Sequence, residues 1–256
     1  MKLLFLGSGG SMGIPVIGCS CFVCTSDSSF NSRLRPSVLI THKKKRYLID
    51  IGPDYRTQAL GHGIDHLDGL LLTHTHYDHI GGLDELRTYT SVQKKSLPCL
   101  LSKETLEELK IRYHYLFSPT GSDAVRSAIL KFRILEGSRG KIDFEGLTVT
   151  YISYDQLGMK VNGFSFGSCA YVTDILDYKE DIFATLRGID TLIISGRRWK
   201  RSKSHLGLEE AVKFSEKTGA KKTYFTHICH EMDHDETNRQ LPKGFSLAHD
   251  GLELTL

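Results

Sequence analysis

The chain has 256 residues, 40% of them hydrophobic and 25% charged, a balance that suits a folded protein with ample core for a rigid site. A formal net charge of +3 gives no global reason to bind nucleic acid. No apolar run reaches the length of a membrane span, and the apolar stretch after Met1 stops at Gly7, too short for a secretion signal. A cytoplasmic protein with no membrane partner is therefore expected, its six cysteines being reduced thiols or metal ligands.

Residues 2–6 form the first predicted strand, followed by Gly7-Ser8-Gly9-Gly10-Ser11-Met12-Gly13. This loop lacks the lysine of a phosphate-binding P-loop and reads as a backbone turn passing close to a site. Cys19-Ser20-Cys21-Phe22-Val23-Cys24 offers three thiols spaced as three corners of a tetrahedral zinc, so a fourth ligand must come from elsewhere. Strands at 37–41 and 46–51 flank a charged, solvated tip, His42-Lys43-Lys44-Lys45. The second of these runs into Asp50-Ile51-Gly52-Pro53-Asp54. A carboxylate there either orients a ligand histidine or, as Asp54, caps a helix at 55–61. His62 and His66 in the exit loop read as ordinary residues.

Leu70-Leu71-Leu72 ends in Thr73-His74-Thr75-His76-Tyr77-Asp78-His79. Four potential metal ligands thus sit at a strand's mouth, and imidazole with carboxylate favours zinc, manganese or iron over calcium or magnesium. A helix at 83–90, a strand at 98–101 and an amphipathic helix at 103–115 follow, with Leu106, Leu109 and Ile111 as its apolar positions. Residues 117–130, including Ser118-Pro119-Thr120-Gly121-Ser122-Asp123, read as a loop and a candidate lid. Strands at 131–135, 141–144, 147–154, 163–166, 169–173 and 191–195 come next, with a helix at 178–186 before the last. Asp174 directly follows the strand Ala170-Tyr171-Val172-Thr173. The run Arg197, Arg198, Lys200, Arg201, Lys203 is mostly solvated charge. His205 precedes a helix at 207–218 with Ala211, Val212 and Phe214 facing inward. A strand at 222–225 ends in Thr226-His227-Ile228-Cys229-His230, and a helix at 233–241 and two strands close the chain. The alternation, without a linker or repeat, predicts one domain over 1–256 with sheets inside and helices outside. Three strand ends carry ligand-type residues: His74 to His79, Asp174 and His227. A carboxylate placed between two metals spaces them roughly 3.5–4 Å apart.

These motifs resemble the metallo-β-lactamase superfamily, and within it the phosphoribosyl cyclic phosphodiesterases of bacterial phosphonate breakdown. The resemblance rests on Cys19-x-Cys21-x-x-Cys24, Leu48-Ile49-Asp50-x-Gly52-Pro53-Asp54, Thr73-His74-x-His76-x-Asp78-His79, Thr173-Asp174, His205-Leu206-x-Leu208-Glu209-Glu210-Ala211, Thr226-His227-Ile228-x-His230 and Asp250-Gly251-Leu252-Glu253. It runs over essentially the whole chain, weakest across 113–135. It implies an α/β fold, a four-layer αββα sandwich with two mixed sheets inside and helices outside. It further implies that His230 closes the cysteine site as a structural zinc. His74 and His76 would hold one active-site metal, Asp78, His79 and His227 the other, and Asp174 would bridge. The metal would be zinc or manganese, as one or two ions. With Asp78 at the metal, a metal-bound hydroxide would be the nucleophile, and His205 would serve as general acid or contact the phosphate. Arg197 and Arg198 are further candidates for phosphate contact.

Two departures stand out. Counting back from Gly163, Gln156 occupies the position where the family has a histidine ligand, and Asp155 is the neighbour that would substitute for it. Ser195 stands where relatives commonly have an acidic residue. The expected function is a metal-dependent hydrolase of a small phosphodiester, with a cyclic one favoured. Competing readings are a ribonuclease Z-like transfer-RNA 3′-processing endonuclease, for which no long Gly/Pro-rich arm is evident, and a relative of the pyrroloquinoline quinone biosynthesis protein. The loss of the histidine at Gln156 also admits a catalytically weakened binding protein. Relatives suggest a homodimer, and nucleic acid is not the favoured partner.

Overall fold

The computed structural model describes residues 1–117 and 128–256. Two seven-stranded sheets lie face to face. In the first, β1 (Lys2–Gly7), β2 (Ser37–His42) and β3 (Lys45–Ile49) pair antiparallel, and β4 (Gly69–Leu71), β5 (Leu97–Ser102) and β6 (Leu130–Leu135) continue in parallel. In the second, β7 (Arg139–Phe144), β8 (Leu147–Gln156), β9 (Met159–Phe166) and β10 (Cys169–Val172) pair antiparallel. There β11 (Thr191–Ser195), β12 (Lys222–Thr226) and β13 (Phe245–Leu247) extend the sheet in parallel. The last strand, β14 (Glu253–Thr255), returns to pair with β1.

The strand sequences explain the layering. Along β2, Val38 and Ile40 enter the core between the sheets, with Phe5, Tyr47, Phe164 and Tyr171. Leu39, between them, points the other way and packs with Leu48, Leu70 and Tyr55. A strand covered on both faces needs consecutive apolar residues, because successive side chains alternate. The outer face of the first sheet is covered by α1 (Tyr55–Gly61), α2 (Tyr77–Ile80), α3 (Leu86–Gln93) and α4 (Lys103–Arg112), which contribute Tyr55, Ile80, Leu86, Tyr89 and Leu109. The second is covered by α5 (Ile182–Thr185) and α6 (Leu208–Thr218) through Ile182, Leu208, Ala211 and Phe214. A further helix, α7 (His234–Gln240), is tied to β13 where the Asn238 side-chain oxygen accepts from Leu247 N. Each fully buried Leu or Phe contributes about 1.5–3 kcal/mol. The expected four-layer α/β sandwich of two mixed sheets with helices outside is the observed fold.

Several element boundaries differ from expectation. The helix expected at 103–115 ends at Arg112, and Ile111 is 74% exposed while Leu109 is buried. The helix expected at 178–186 shrinks to α5, because Asp177 exchanges backbone hydrogen bonds with Asp155 and holds the preceding chain extended. The helix expected at 83–90 is a 3-10 turn, Leu83–Glu85, running into α3, which ends at Gln93. Asp54 does not cap α1 with its side chain; its carboxylate takes Arg35 N at 2.8 Å and the Arg35 guanidinium at 2.9 Å. Ser118-Pro119-Thr120-Gly121-Ser122-Asp123, read above as the heart of a lid, lies outside the described residues. No helix among the described residues is long and apolar enough to cross a membrane.

Candidate active site

The expected ligands come together at the C-terminal ends of strands from both sheets. From the first sheet, Asp50 follows β3 and His74, His76, Asp78 and His79 follow β4; from the second, Asp174 follows β10 and His227 follows β12. Asp50, Asp174 and His227 each adopt a left-handed backbone, with φ of 59°, 54° and 60°. A side-chain-bearing residue adopts that conformation at an energetic cost, and here the sharp reversal turns each side chain back towards the strand mouths. Gly52 lets the chain leaving β3 press against the histidine loop: a Cβ at Gly52 would lie 2.3 Å from the Asp78 carbonyl oxygen. Asn162 of β9 donates to Thr73 O from both its backbone and its side chain, each at 3.0 Å, and so fastens this loop to the second sheet.

Asp174 is the hub. Its Oδ1 lies 2.7 Å from His205 Nε2 and 3.3 Å from His227 Nε2, while its Oδ2 lies 3.2 Å from His79 Nε2 and accepts from the Thr173 hydroxyl at 2.7 Å. Asp78 Oδ2 is 3.1 Å from His227 Nε2 and 3.4 Å from His79 Nε2. His74 Nε2 and His76 Nδ1 are 2.9 Å apart. The donor atoms of His74, His76 and Asp174 lie within 4.8 Å of one another, as do those of Asp78, His79 and His227 and those of Asp174, His205 and His227.

The arrangement fits a divalent cation. His79 Nε2 is buried and makes no hydrogen bond, although two carboxylate oxygens stand 3.2 and 3.4 Å away. A cation that took both the nitrogen lone pair and the oxygens would satisfy all of these atoms. The tautomer is set from behind. His79 Nδ1 donates to Asp50 Oδ2 at 2.7 Å, and the same carboxylate accepts Thr73 N at 2.9 Å and the Thr73 hydroxyl at 2.8 Å. That leaves Nε2 free to ligate. Burial, reinforced by the nearby His79, lowers the His74 pKa well below its ordinary value, and burial lowers that of His76, so both imidazoles are neutral as ligation requires. Burial works against the charge on Asp174, but His227 and His79 outweigh it and hold the carboxyl well below its usual range. Burial likewise opposes charge on His79, yet Asp78, Asp50 and Asp174 raise its pKa well above the imidazole norm. Such tension among buried groups is what a bound cation relieves.

The cysteine cluster is equally well formed. Cys19, Cys21 and Cys24 place their sulfurs 3.3, 3.4 and 3.5 Å from one atom, His230 Nδ1. Four donors around a zinc, with sulfur at about 2.3 Å and nitrogen at about 2.0–2.1 Å, would have sulfur–nitrogen edges of roughly 3.6 Å. The glycine loop after β1 joins the two clusters, with Gly10 N donating to Ile228 O and Ile228 N to Ser8 O.

The structure also locates the departures. Gln156 is buried, and its amide nitrogen lies 3.3 Å from Asp174 Oδ1, 2.9 Å from Ser204 O and 3.2 Å from His205 Nε2. Its amide hydrogens therefore face Asp174 and Ser204, and its Oε1 is left without a hydrogen-bond partner. Asp155 does not take the missing position, because its carboxylate accepts Gly158 N at 2.8 Å in the β8–β9 turn. Ser195 is used structurally, its hydroxyl accepting Asp174 N at 2.9 Å. Thr73 opens the histidine motif, but sequence alone assigns no role to it or to Asn162. Its place directly before His74 is the signal that marks Thr73; Asn162, inside β9, carries none. His205 is buried with Nε2 against Asp174 and Nδ1 2.8 Å from the Ser204 hydroxyl. Burial lowers its pKa, with Asp174 partly opposing. His76, Asp78, Gln156, Asp174, Arg197 and His205 all open onto one cleft of about 430 Å³.

A two-sheet sandwich with histidine and aspartate donors gathered at its strand mouths is that of a metallo-β-lactamase-fold hydrolase. The chain belongs to the beta-lactamase superfamily, whose domain model matches residues 45–228. A crystal structure described as a new diphosphatase from the PhnP family is similar over 99% of this chain and 96% of its own, with 38% identity and a TM-score of 0.90. The octanoyltransferase of Porphyromonas gingivalis is 34% identical over 263 residues, covering 99% of this chain and 51% of that protein. The chain thus spans about half the length of that curated relative. Zinc-bound PqqB from Methylobacterium extorquens shares the fold, with a TM-score of 0.78 and 20% identity over the whole of both chains.

Proposed function

We propose that this chain is a metal-dependent phosphodiesterase acting on a small phosphodiester, with cyclic esters favoured. The observation that carries the reading is that two ligand groups meet at Asp174 in one small cleft beside His205. A cleft of about 430 Å³ is near the lower end for small-molecule sites. The diphosphatase neighbour, which shares 38% identity, supports chemistry at phosphorus.

In this reading His74, His76 and Asp174 hold one divalent ion, and Asp78, His79 and His227 with Asp174 hold another. When bound there, zinc or manganese would lower the pKa of water towards neutrality and polarise a phosphoryl oxygen. His205 keeps a proton on Nε2, the nitrogen facing the reacting centre, because Ser204 occupies Nδ1. That proton is placed to reach a departing alkoxide. Gln156 orients Asp174 and the Ser204 backbone beside His205 through its amide hydrogens, and the His74–His76 ion, lacking the histidine found in relatives, is the more weakly held. Arg197 offers charge to the phosphoryl group. Cys19, Cys21, Cys24 and His230 hold a structural zinc with no open position. Thiolate ligands of this kind suit the reducing cytoplasm.

The test is metal content by elemental mass spectrometry together with hydrolysis of bis(p-nitrophenyl) phosphate in zinc and in manganese. The reading expects one structural zinc, one tightly held active-site ion, a second that titrates in at higher concentration, and turnover that depends on Asp78 and His79. A fully loaded protein with no turnover in either metal would reject the diesterase and leave a binding protein of the same fold.

A further inference from the structure

The β8–β9 hairpin closes through a two-residue turn, Leu157-Gly158, with Gln156 paired to Met159. Both turn residues are left-handed, with φ of 54° and 83°. Such a turn ordinarily takes Asn, Asp or Gly at its first position, since a larger side chain is strained there. Leucine is the wrong residue for the backbone, and it is also 67% exposed. A residue that breaks the local rule and gains no burial points to a role outside folding. Leu157 stands on the wall of the active-site cleft, between Gln156 and Met159, which line it too.

A second apolar group borders the same cleft. Tyr77, flanked in sequence by His76 and Asp78, is 63% exposed. Its ring lies against the backbone of Gly81, where a Cβ would come within 2.8 Å of the ring carbon Cε2. The ring is thus braced from one side and open on the other. The remaining lining is polar or charged: it includes the candidate metal-site carboxylates Asp78 and Asp174 as well as Arg197, whose Nε is buried without a hydrogen-bond partner. One cleft therefore carries an apolar group of Tyr77, Leu157 and Met159 and an anion-seeking group around Arg197.

Building on the phosphodiesterase reading, we propose that Tyr77 and Leu157 form a clamp for a planar aromatic ring carried by the substrate next to its phosphoryl group. A nucleobase and a simple aryl group share this chemistry, because stacking uses the face of the ring rather than its edge. Leu157 accepts its strained backbone in order to present an apolar side chain to the ring.

The test measures binding to the metal-loaded protein by calorimetry for AMP, phenyl phosphate and ribose 5-phosphate. All three carry a phosphomonoester, and only the first two carry an aromatic ring. The two aromatic ligands are expected to bind roughly 5- to 150-fold more tightly than ribose 5-phosphate, the range given by stacking of one ring. AMP tighter than phenyl phosphate assigns the clamp to nucleobases, and the reverse order assigns it to aryl groups. In the double variant Tyr77→Ala/Leu157→Asn the preference should vanish while ribose 5-phosphate binds as before. Leu157→Asn alone restores the residue the turn favours, so it should raise the melting temperature while reducing ring affinity. Equal affinities in the native protein, or a preference that survives in the double variant, overturns the clamp. Because binding is read without turnover, failure of the clamp is separate from failure of the diesterase, which the bis(p-nitrophenyl) phosphate assay reports.

Discussion

Replacing Asp50 by asparagine isolates one link in the candidate metal centre. Asparagine has the same shape and tolerates the left-handed backbone at φ 59°, so the turn after β3 should survive. The amide oxygen can still accept Thr73 N, now 2.9 Å from Oδ1. The amide nitrogen then replaces Oδ2, the atom 2.7 Å from His79 Nδ1. Two donors cannot face each other at that distance. His79 must therefore move its proton to Nε2, the nitrogen that should bind the ion, or turn away. Loss of a partner behind a ligand histidine typically weakens metal binding by about 10- to 100-fold. That corresponds to about 1.4–2.8 kcal/mol in binding free energy. Competition against a chromophoric chelator measures this directly, with thermal melting in excess chelator as the control for damage to the metal-free fold. Metal affinity within twofold of the native value would show that Asp50 does not set the His79 tautomer, and the account of the site would fail there.

Two other outcomes follow from the geometry. Cys21→Ser should lower bound zinc by one ion per chain and reduce the melting temperature, since structural zinc contributes folding free energy; unchanged zinc and melting would remove the Cys19, Cys21, Cys24 and His230 assignment. His234, far from both clusters in role, is buried against Arg33, whose Nη2 lies 2.9 Å from His234 Nδ1. Burial first, and then the Arg33 charge, lowers its pKa to about 4. The unfolded chain therefore binds this proton more readily, so the stabilising contribution is complete above about pH 6.5 and is lost as pH falls to about 4. Urea titrations across that range should show His234→Gln flattening the decline by at most about 3 kcal/mol; identical slopes would refute it.

The candidate ligands were legible in the sequence because each follows an apolar strand: His74 to His79 after β4, Asp174 after β10, His227 after β12. The two-sheet architecture was legible for the same reason, since strands such as Ser37–His42 are apolar at consecutive positions. What lay hidden depends on how distant loops meet. Gln156 could be placed at a ligand's position by counting, but its amide's orientation towards Asp174 and Ser204 depends on a loop 48 residues away. The short helix α2 was invisible because Tyr77–Ile80 carries ligands rather than an apolar stripe. The truncation of the helix expected at 178–186 came from a backbone bridge to Asp155, and sequence periodicity carries no trace of such a partner.

The division of the ligands between the two sheets has a mechanical consequence. His74, His76, Asp78 and His79 belong to one half of the sandwich, and Asp174 and His227 to the other. An ion held by these residues would act as a rivet through the sandwich, and its affinity would be partly the adhesion of one half to the other. A slip of the aromatic layer between the sheets, where the rings of Phe5 and Tyr224 meet at 6.4 Å, would pull the two sets of donors apart without touching any of them. The greasy interior and the polar mouth would then be one device: the former sets the gauge to which the latter is cut.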